Sequence, residues 1–212
     1  MWIVGIDLAG PANAAETAMA CFETEGDHLR LAEWREGLGD EQILATVSKL
    51  AGEKAVGLDA PLSYQPGGGD RPADKELRKR IVEAGMRPGS VMAPTATKMA
   101  YLTLRGISVA RLLNTIQPNA PKIVEVHPGG TLALRGVDIA ALKDMKGTVA
   151  ARMRLLNWLE VKGLAGVSRI AAPGPDIVPA CAAAFAAWKW SVGSVIWLRP
   201  ACPPFHPYDL AC

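Results

Sequence analysis

Short apolar runs, each closed by a turn-forming or charged residue, alternate along the chain with segments of helical periodicity. Three runs are apolar at successive positions, which is typical of strands buried on both faces of a sheet. With the charged residues that adjoin or close these runs, the predicted strands span residues 2–8, 55–59 and 122–126. Two further runs, at 17–23 and 28–35, flank Gly26-Asp27 and predict an antiparallel pair. A last strand is expected at 192–198.

Helical spacing of apolar residues begins after Gly39, where Asp40 is expected to cap a helix carrying Ile43 and Val47 on its apolar face. Later segments with helical character lie at about 96–113, 149–161 and 177–190. This mixture predicts an α/β fold. We expect one domain over residues 1–212, with an insert at about 63–121 and an irregular tail at about 199–212.

Composition narrows the class of protein. Half of the 212 residues are hydrophobic, which is enough for a substantial core. The formal charge of +2 gives no global field for a polyanion, so any nucleic-acid affinity must be local. The four cysteines lack the spacing of a zinc site, and the amino terminus lacks the basic region of a secretion signal. We therefore expect a soluble, cytoplasmic protein.

Three of the buried strands end near a single carboxylate: Asp7, Asp59 and Glu125. A buried carboxylate is costly unless it is paired, hydrogen-bonded or bound to a metal. Each residue alone also suits a turn or a helix cap. If the strands are parallel, however, all three reach the carboxyl edge of the sheet, where α/β proteins bind ligands. Oxygen ligands without thiolates favour Mg²⁺ or Mn²⁺, so the sequence predicts a site for such an ion.

Four basic residues are candidates for binding a substrate phosphate. Arg71 and Arg78 lie seven positions apart in a charged segment, so they share a face if that segment is helical. The segment is equally compatible with an ordinary solvated helix. Lys98 and Arg105 are expected on one side of the next helix, where they either track a nucleic-acid backbone or face solvent.

The chain also resembles a known family. The residues that carry the resemblance are Gly5-Ile6-Asp7, Leu58-Asp59-Ala60-Pro61-Leu62, the segment 71–78, and Glu125-Val126-His127-Pro128. In this order they resemble the family known as domain of unknown function 429, over Trp2 to about Ala187. That family is described as predicted nucleases of the RNase H-like fold. The resemblance implies a five-stranded mixed sheet flanked by helices, with an acidic metal site on the first, fourth and fifth strands.

The chain departs from the family at the last core helix, where members commonly carry an Asp-Ala pair. Pro179-Ala180 stands there instead, and Asp176 precedes it by three residues. Asp176 either supplies a fourth catalytic carboxylate or caps the helix. This departure leaves open whether the metal site is complete.

These observations favour a nuclease that hydrolyses phosphodiesters of DNA or RNA with two divalent ions. Asp7 is expected to bridge the ions, on the assumption that its strand lies between the other two. Two alternatives remain: a module of the same fold that binds nucleic acid or another ligand without catalysis, and a nucleotide-binding phosphotransferase of the actin-like fold. Gly10-Pro11 is a poor match to the phosphate-binding hairpin that a phosphotransferase needs.

Overall fold

The computed structural model describes residues 1–212 and contains one mixed sheet of eight strands. The strands are β1 (Trp2–Asp7), β2 (Ala18–Glu25), β3 (His28–Glu36), β4 (Lys54–Asp59), β5 (Lys122–Val126), β6 (Leu164–Ala165), β7 (Leu198–Arg199) and β8 (Leu210–Ala211). Their order across the sheet is β6-β3-β2-β1-β4-β5-β8-β7.

The five long strands of the sheet pair in both antiparallel and parallel fashion. β1 pairs antiparallel with β2, and β2 with β3, while β4 is parallel to β1 and β5 is parallel to β4. The carboxyl ends of β1, β4 and β5 therefore meet at one edge, as the sequence predicts. β4 lies between β1 and β5. The expectation that the first strand is the central one of the three is wrong, because β1 has β2 on its other side.

Seven α-helices accompany the sheet: α1 (Asp40–Lys49), α2 (Pro72–Glu83), α3 (Thr97–Asn114), α4 (Pro128–Leu134), α5 (Ile139–Lys143), α6 (Val149–Val161) and α7 (Ile177–Ser191). Short 3-10 segments lie at Pro11–Glu16, Pro88–Ser90 and Val167–Arg169. α2 and α3 occupy the segment between β4 and β5. No helix is both long and apolar enough to cross a membrane.

Two glycines let α7 lie directly on the sheet. A Cβ at Gly5 would overlap the backbone of Ala180 and Ala184, and a Cβ at Gly57 would overlap the carbonyl oxygen of Ala183. The alanine-rich sequence of α7 allows this approach, because small side chains keep the helix axis near the strands. The α7 face of the sheet forms the larger core, and the opposite face packs against α1 and α3.

The prediction of a five-stranded sheet is only partly correct. The five long strands occur, but three two-residue strands extend the sheet to eight. The tail also differs from expectation, because Leu210–Ala211 pairs with the end of β5, and the strand expected at 192–198 shrinks to Leu198–Arg199. Two-residue strands and short helices such as α4 and α5 are too brief to show a hydrophobic period.

Candidate functional site

A cavity of about 390 Å³ opens at the carboxyl edge of the parallel strands. Four carboxylates predicted from the sequence line it: Asp7, Asp59, Glu125 and Asp176. β1, β4 and β5 supply the first three, and the last lies at the beginning of α7. Open α/β sheets bind their ligands at this edge, so the cavity is the candidate functional site.

Asp7 and Asp59 are direct neighbours in the pairing of β1 and β4. Burial raises the pKa of Asp7 well above its usual range, and the charges of Asp59 and Asp176 raise it further. Burial also raises the pKa of Asp59 to about 7, with a further contribution from the charge of Glu125. Two adjoining carboxyl groups cannot both ionise at low cost in such a place. The pair therefore holds a proton or requires a cation.

The side chain of Glu125 does not share a face of the sheet with that of Asp7. It follows Ile123 by two positions, and Ile123 packs in the core on the α1 and α3 side of the sheet. Asp7 follows Gly5 by two positions, and Gly5 lies against α7. Since side chains alternate along a strand, Glu125 and Asp7 point to opposite faces, although both reach the cavity at the sheet edge.

The carboxylate of Glu125 is held by Arg71. Arg71 Nη1 donates to Glu125 Oε2 over 2.8 Å, Nη2 donates to Oε1 over 2.5 Å, and the backbone amide of Leu62 donates to Oε2 over 2.8 Å. Arg71 also forms an ion pair with Asp74, with Nη2 and Oδ1 2.7 Å apart. All three charged side chains are buried. Glu125 thus has a guanidinium partner in hydrogen-bonding contact, unlike Asp7 and Asp59.

The pKa of Arg71 reflects this arrangement. Burial lowers it, but the charge and hydrogen bonds of Glu125 and Asp74 outweigh burial and raise the pKa above its usual value. Arg71 lines the cavity, as predicted for a phosphate-binding residue. Its donors are nevertheless engaged by two carboxylates, so a phosphate would have to displace one of them.

The three other predicted phosphate-binding residues lie outside the cavity lining. Arg78 forms a two-pronged ion pair with Asp70, at 2.6 and 2.7 Å, and donates to the carbonyl oxygen of Val91. Arg105 is buried, and it donates to Asp40 and to the carbonyl oxygen of Ala9. Lys98 is exposed at the beginning of α3. Arg78 and Arg105 thus stabilise loops, and the structure does not bring these cations to the carboxylates.

Lys146 is a cation that sequence reasoning missed. It lines the cavity, and its charge lowers the pKa of Asp7, Asp59 and Asp176 against the opposing effect of burial. Lys146 lies between α5 and α6, in a segment with no strand or helix pattern. Nothing in the local sequence distinguishes it from the chain's other lysines, and only the fold brings it to the site.

Asp176 occupies the residue before α7, but its side chain forms no capping hydrogen bond. Burial raises its pKa, while Lys146 lowers it. The interpretation of Asp176 as a helix cap is therefore not supported by the hydrogen bonding. Its partly buried side chain lines the cavity instead, together with the other three carboxylates.

His127 also lines the cavity, yet both ring nitrogens are occupied. Nε2 lies 2.8 Å from the carbonyl oxygen of Ser90, and Nδ1 accepts from the backbone amide of Gly130 over 2.8 Å at the beginning of α4. These partners require a neutral ring with its proton on Nε2. Burial also lowers the pKa of His127, so this histidine holds a loop and a helix in place.

The residues fit a cation site only in part. No group of three or more His, Cys, Asp or Glu side chains is arranged to hold a metal ion. Asp7 and Asp59 alone offer adjoining carboxylates without a basic partner in hydrogen-bonding contact. An ion between them would relieve the repulsion that their raised pKa values record. A third protein ligand would have to be Asp176, or Glu125 after it has left Arg71.

Comparison with known proteins gives one match. No curated protein and no solved structure matches the chain. The family described as "Protein of unknown function (DUF429)" matches residues 5–204, a range that contains Asp7, Asp59, Glu125 and Asp176. Because this match covers most of the sequence, the chain belongs to the DUF429 family.

Proposed function

We propose that this protein is a divalent-metal-dependent hydrolase of nucleic-acid phosphodiesters, built on an RNase H-like core. Two features support the fold assignment. The long strands lie consecutively in the order β3-β2-β1-β4-β5, and among them β2 alone runs opposite to the others. The acidic residues expected from the family resemblance lie at the carboxyl ends of β1, β4 and β5.

The observation that carries the proposal is the opposed pair Asp7 and Asp59 on the wall of an open cavity. Their repulsion costs free energy in the absence of a cation, and no arginine or lysine forms an ion pair with either. Purely structural carboxylates at this position would be expected to have such a partner. A small, hard cation with oxygen ligands, Mg²⁺ or Mn²⁺, fits this pair.

Each side chain of the site has a defined part in the proposed reaction. Asp7 and Asp59 bind the ion, which when bound supplies a water of lowered pKa and neutralises charge on the phosphate. Arg71 holds Glu125 in one rotamer, so the negative charge of Glu125 stays beside Asp59. Lys146, in the segment between α5 and α6, lines the cavity and offers an ammonium group to a substrate phosphate.

A second candidate function is a nucleic-acid-binding module without catalysis. The engagement of Glu125 by Arg71 favours it, because Glu125 is then not free to serve as a third ligand. This candidate predicts binding through Lys146 with no dependence on divalent ions.

Cleavage assays distinguish the two functions. The wild-type protein is incubated with single-stranded, double-stranded and hybrid oligonucleotides, with Mn²⁺, Mg²⁺ or EDTA. We expect Mn²⁺-dependent cleavage that is lost in Asp7→Asn and Asp59→Asn and retained in Asp27→Asn, whose carboxyl is fully exposed at a hairpin turn. Binding without cleavage under every ion would support the module, and neither binding nor cleavage would contradict both functions.

A further inference from the structure

A second cavity of about 220 Å³ lies between the loop after β4 and the carboxy-terminal tail. It shares Arg71, Glu125 and Leu210 with the acidic cavity but has its own polar pair, Ser63 and His206. Asp7, Asp59 and Lys146 do not line it. The second cavity is therefore a separate space on the other side of the Arg71–Glu125 ion pair.

Ser63 and His206 are within hydrogen-bond distance across 143 positions of sequence, with Ser63 Oγ 2.8 Å from His206 Nδ1. Arg71 Nη1 donates to the same Oγ over 3.1 Å. Because an arginine only donates, the hydroxyl proton of Ser63 is free to point at His206 Nδ1, and Nδ1 then acts as the acceptor. The pair has the geometry of a nucleophile and its base.

The backbone holds both members of the pair. Cys202 and His206 exchange two hydrogen bonds, at 2.7 and 3.0 Å, which fix the main chain that carries the imidazole. Ser63 is buried and follows Asp59 by four residues, at the same carboxyl edge of the sheet. The guanidinium of Arg71 beside Oγ stabilises negative charge on that oxygen. The main chain that carries the base is thus fixed, and Arg71 polarises the nucleophile.

We propose that Ser63 is a nucleophile activated by His206, and that the second cavity accepts small carboxylic esters as acyl donors. Its volume is too small for a polymer, and five of its eleven lining residues, Pro72, Ala73, Pro200, Tyr208 and Leu210, offer apolar surface. Such a wall suits an apolar acyl or alcohol group. This activity is independent of the metal-dependent reaction proposed above.

The proposed reaction has two steps. Ser63 Oγ attacks the ester carbonyl carbon and its proton passes to His206 Nδ1; the bond to the alcohol oxygen breaks, and the alcohol leaves with that proton. Water then attacks the acyl-serine, His206 takes a proton from the water and returns it to Ser63 Oγ, and a carboxylic acid leaves. No oxidant, reductant or metal takes part.

A fluorophosphonate probe tests the nucleophile in the full-length protein. The Oγ–P bond forms, the P–F bond breaks, fluoride leaves, and the hydroxyl proton goes to His206. Peptide mapping by mass spectrometry should find the adduct on Ser63. Ser63→Ala should abolish the adduct, and His206→Gln should slow labelling by about 100-fold or more, the usual effect of losing a general base. Ser108→Ala, an exposed control, should leave the rate unchanged.

Two results would overturn the proposal: a folded wild-type protein with no adduct on Ser63, or labelling of Ser63 at an unchanged rate in His206→Gln. A second measurement does not depend on the folding of any variant. The wild-type protein is mixed with p-nitrophenyl acetate and quenched in acid during turnover. An acetyl group on Ser63 supports the proposal, whereas the absence of acetylation there contradicts it.

Discussion

Asp7 and Asp59 stand directly opposite each other in the parallel pairing of β1 and β4, and folding raises the pKa of both carboxyl groups. Glu125, one strand further, has a guanidinium to neutralise it, but this pair has none. The main electrostatic feature of the molecule is that one of the three acids at this sheet edge has a basic partner and the other two have none. It separates a carboxylate that is held by an arginine from two that have no basic partner in hydrogen-bonding contact.

The first prediction concerns stability and pH. Folding raises the pKa of Asp59 from 3.8 to about 7, so the folded state binds more protons than the unfolded state between these values. The free energy of unfolding should therefore fall as pH rises from about 4 to about 7. Without metal, Asp59→Asn should be more stable than wild type above pH 7, by at least about 1.4 kcal/mol, the equivalent of one pKa unit.

Urea denaturation in EDTA at several pH values measures this difference. Asp27→Asn is the matched control, because Asp27 is fully exposed and does not line the cavity. A stability gap between Asp59→Asn and wild type that does not grow with pH would mean that the pair is not strained in the folded protein.

The second prediction concerns the buried ion network. Arg71→Met would leave Glu125 and Asp74 buried without their cation. Breaking a buried ion pair from one side typically costs about 3–5 kcal/mol, and we expect a loss of this size. Arg78→Met removes a more exposed ion pair with Asp70 and should cost about 1 kcal/mol. Equal losses of unfolding free energy in the two variants would contradict the central position given to Arg71.

The third prediction concerns the contact between α7 and the sheet. A Cβ at Gly5 would overlap the backbone of α7. Gly5→Ala should therefore lower the free energy of unfolding by about 1–3 kcal/mol or more, as overpacking usually does. A Cβ added at Gly10 would have no heavy atom within 4 Å, so Gly10→Ala should leave the stability nearly unchanged. Thermal unfolding of the two variants compares them. A small effect of Gly5→Ala would mean that α7 is not seated on β1.

The fourth prediction concerns nucleic-acid affinity. Lys146 lines the acidic cavity and Lys98 does not. Lys146→Ala should weaken binding of a single-stranded oligonucleotide and reduce the salt slope of log K by about 0.7, the value for one lost phosphate contact. Lys98→Ala should change neither quantity. Binding measured by fluorescence anisotropy in EDTA at several salt concentrations checks both variants, and the reverse result would move the substrate groove to α3.

The sequence predicts the long parallel strands and their terminal carboxylates correctly, because both features have strong local signals. Continuous apolar runs located β1, β4 and β5, and the carboxylate closing each run located Asp7, Asp59 and Glu125. The pairing order carries no such signal, which is why β1 was expected between the other two. The sequence pattern does not locate the short elements β6, β7, β8, α4 and α5 correctly, because they are too brief to show a hydrophobic period.

The roles of the basic residues were harder to predict than their positions. Arg71, Arg78 and Arg105 looked like phosphate ligands, but each is paired with a carboxylate whose position depends on the tertiary structure. Lys146 and His206 approach their partners from segments distant in sequence. No local pattern in a single sequence predicts such contacts between distant segments, so only the structure shows them.

The most direct test of the central claim is an anomalous diffraction measurement on crystals soaked in Mn²⁺ at pH 8, where Asp59 is ionised. We predict a peak between the carboxyl groups of Asp7 and Asp59, at about 2–2.5 Å from an oxygen of each, as hard cations bind oxygen ligands. The same soak of Asp7→Asn crystals should lack the peak. Well-diffracting wild-type crystals with no peak between Asp7 and Asp59 would contradict the account.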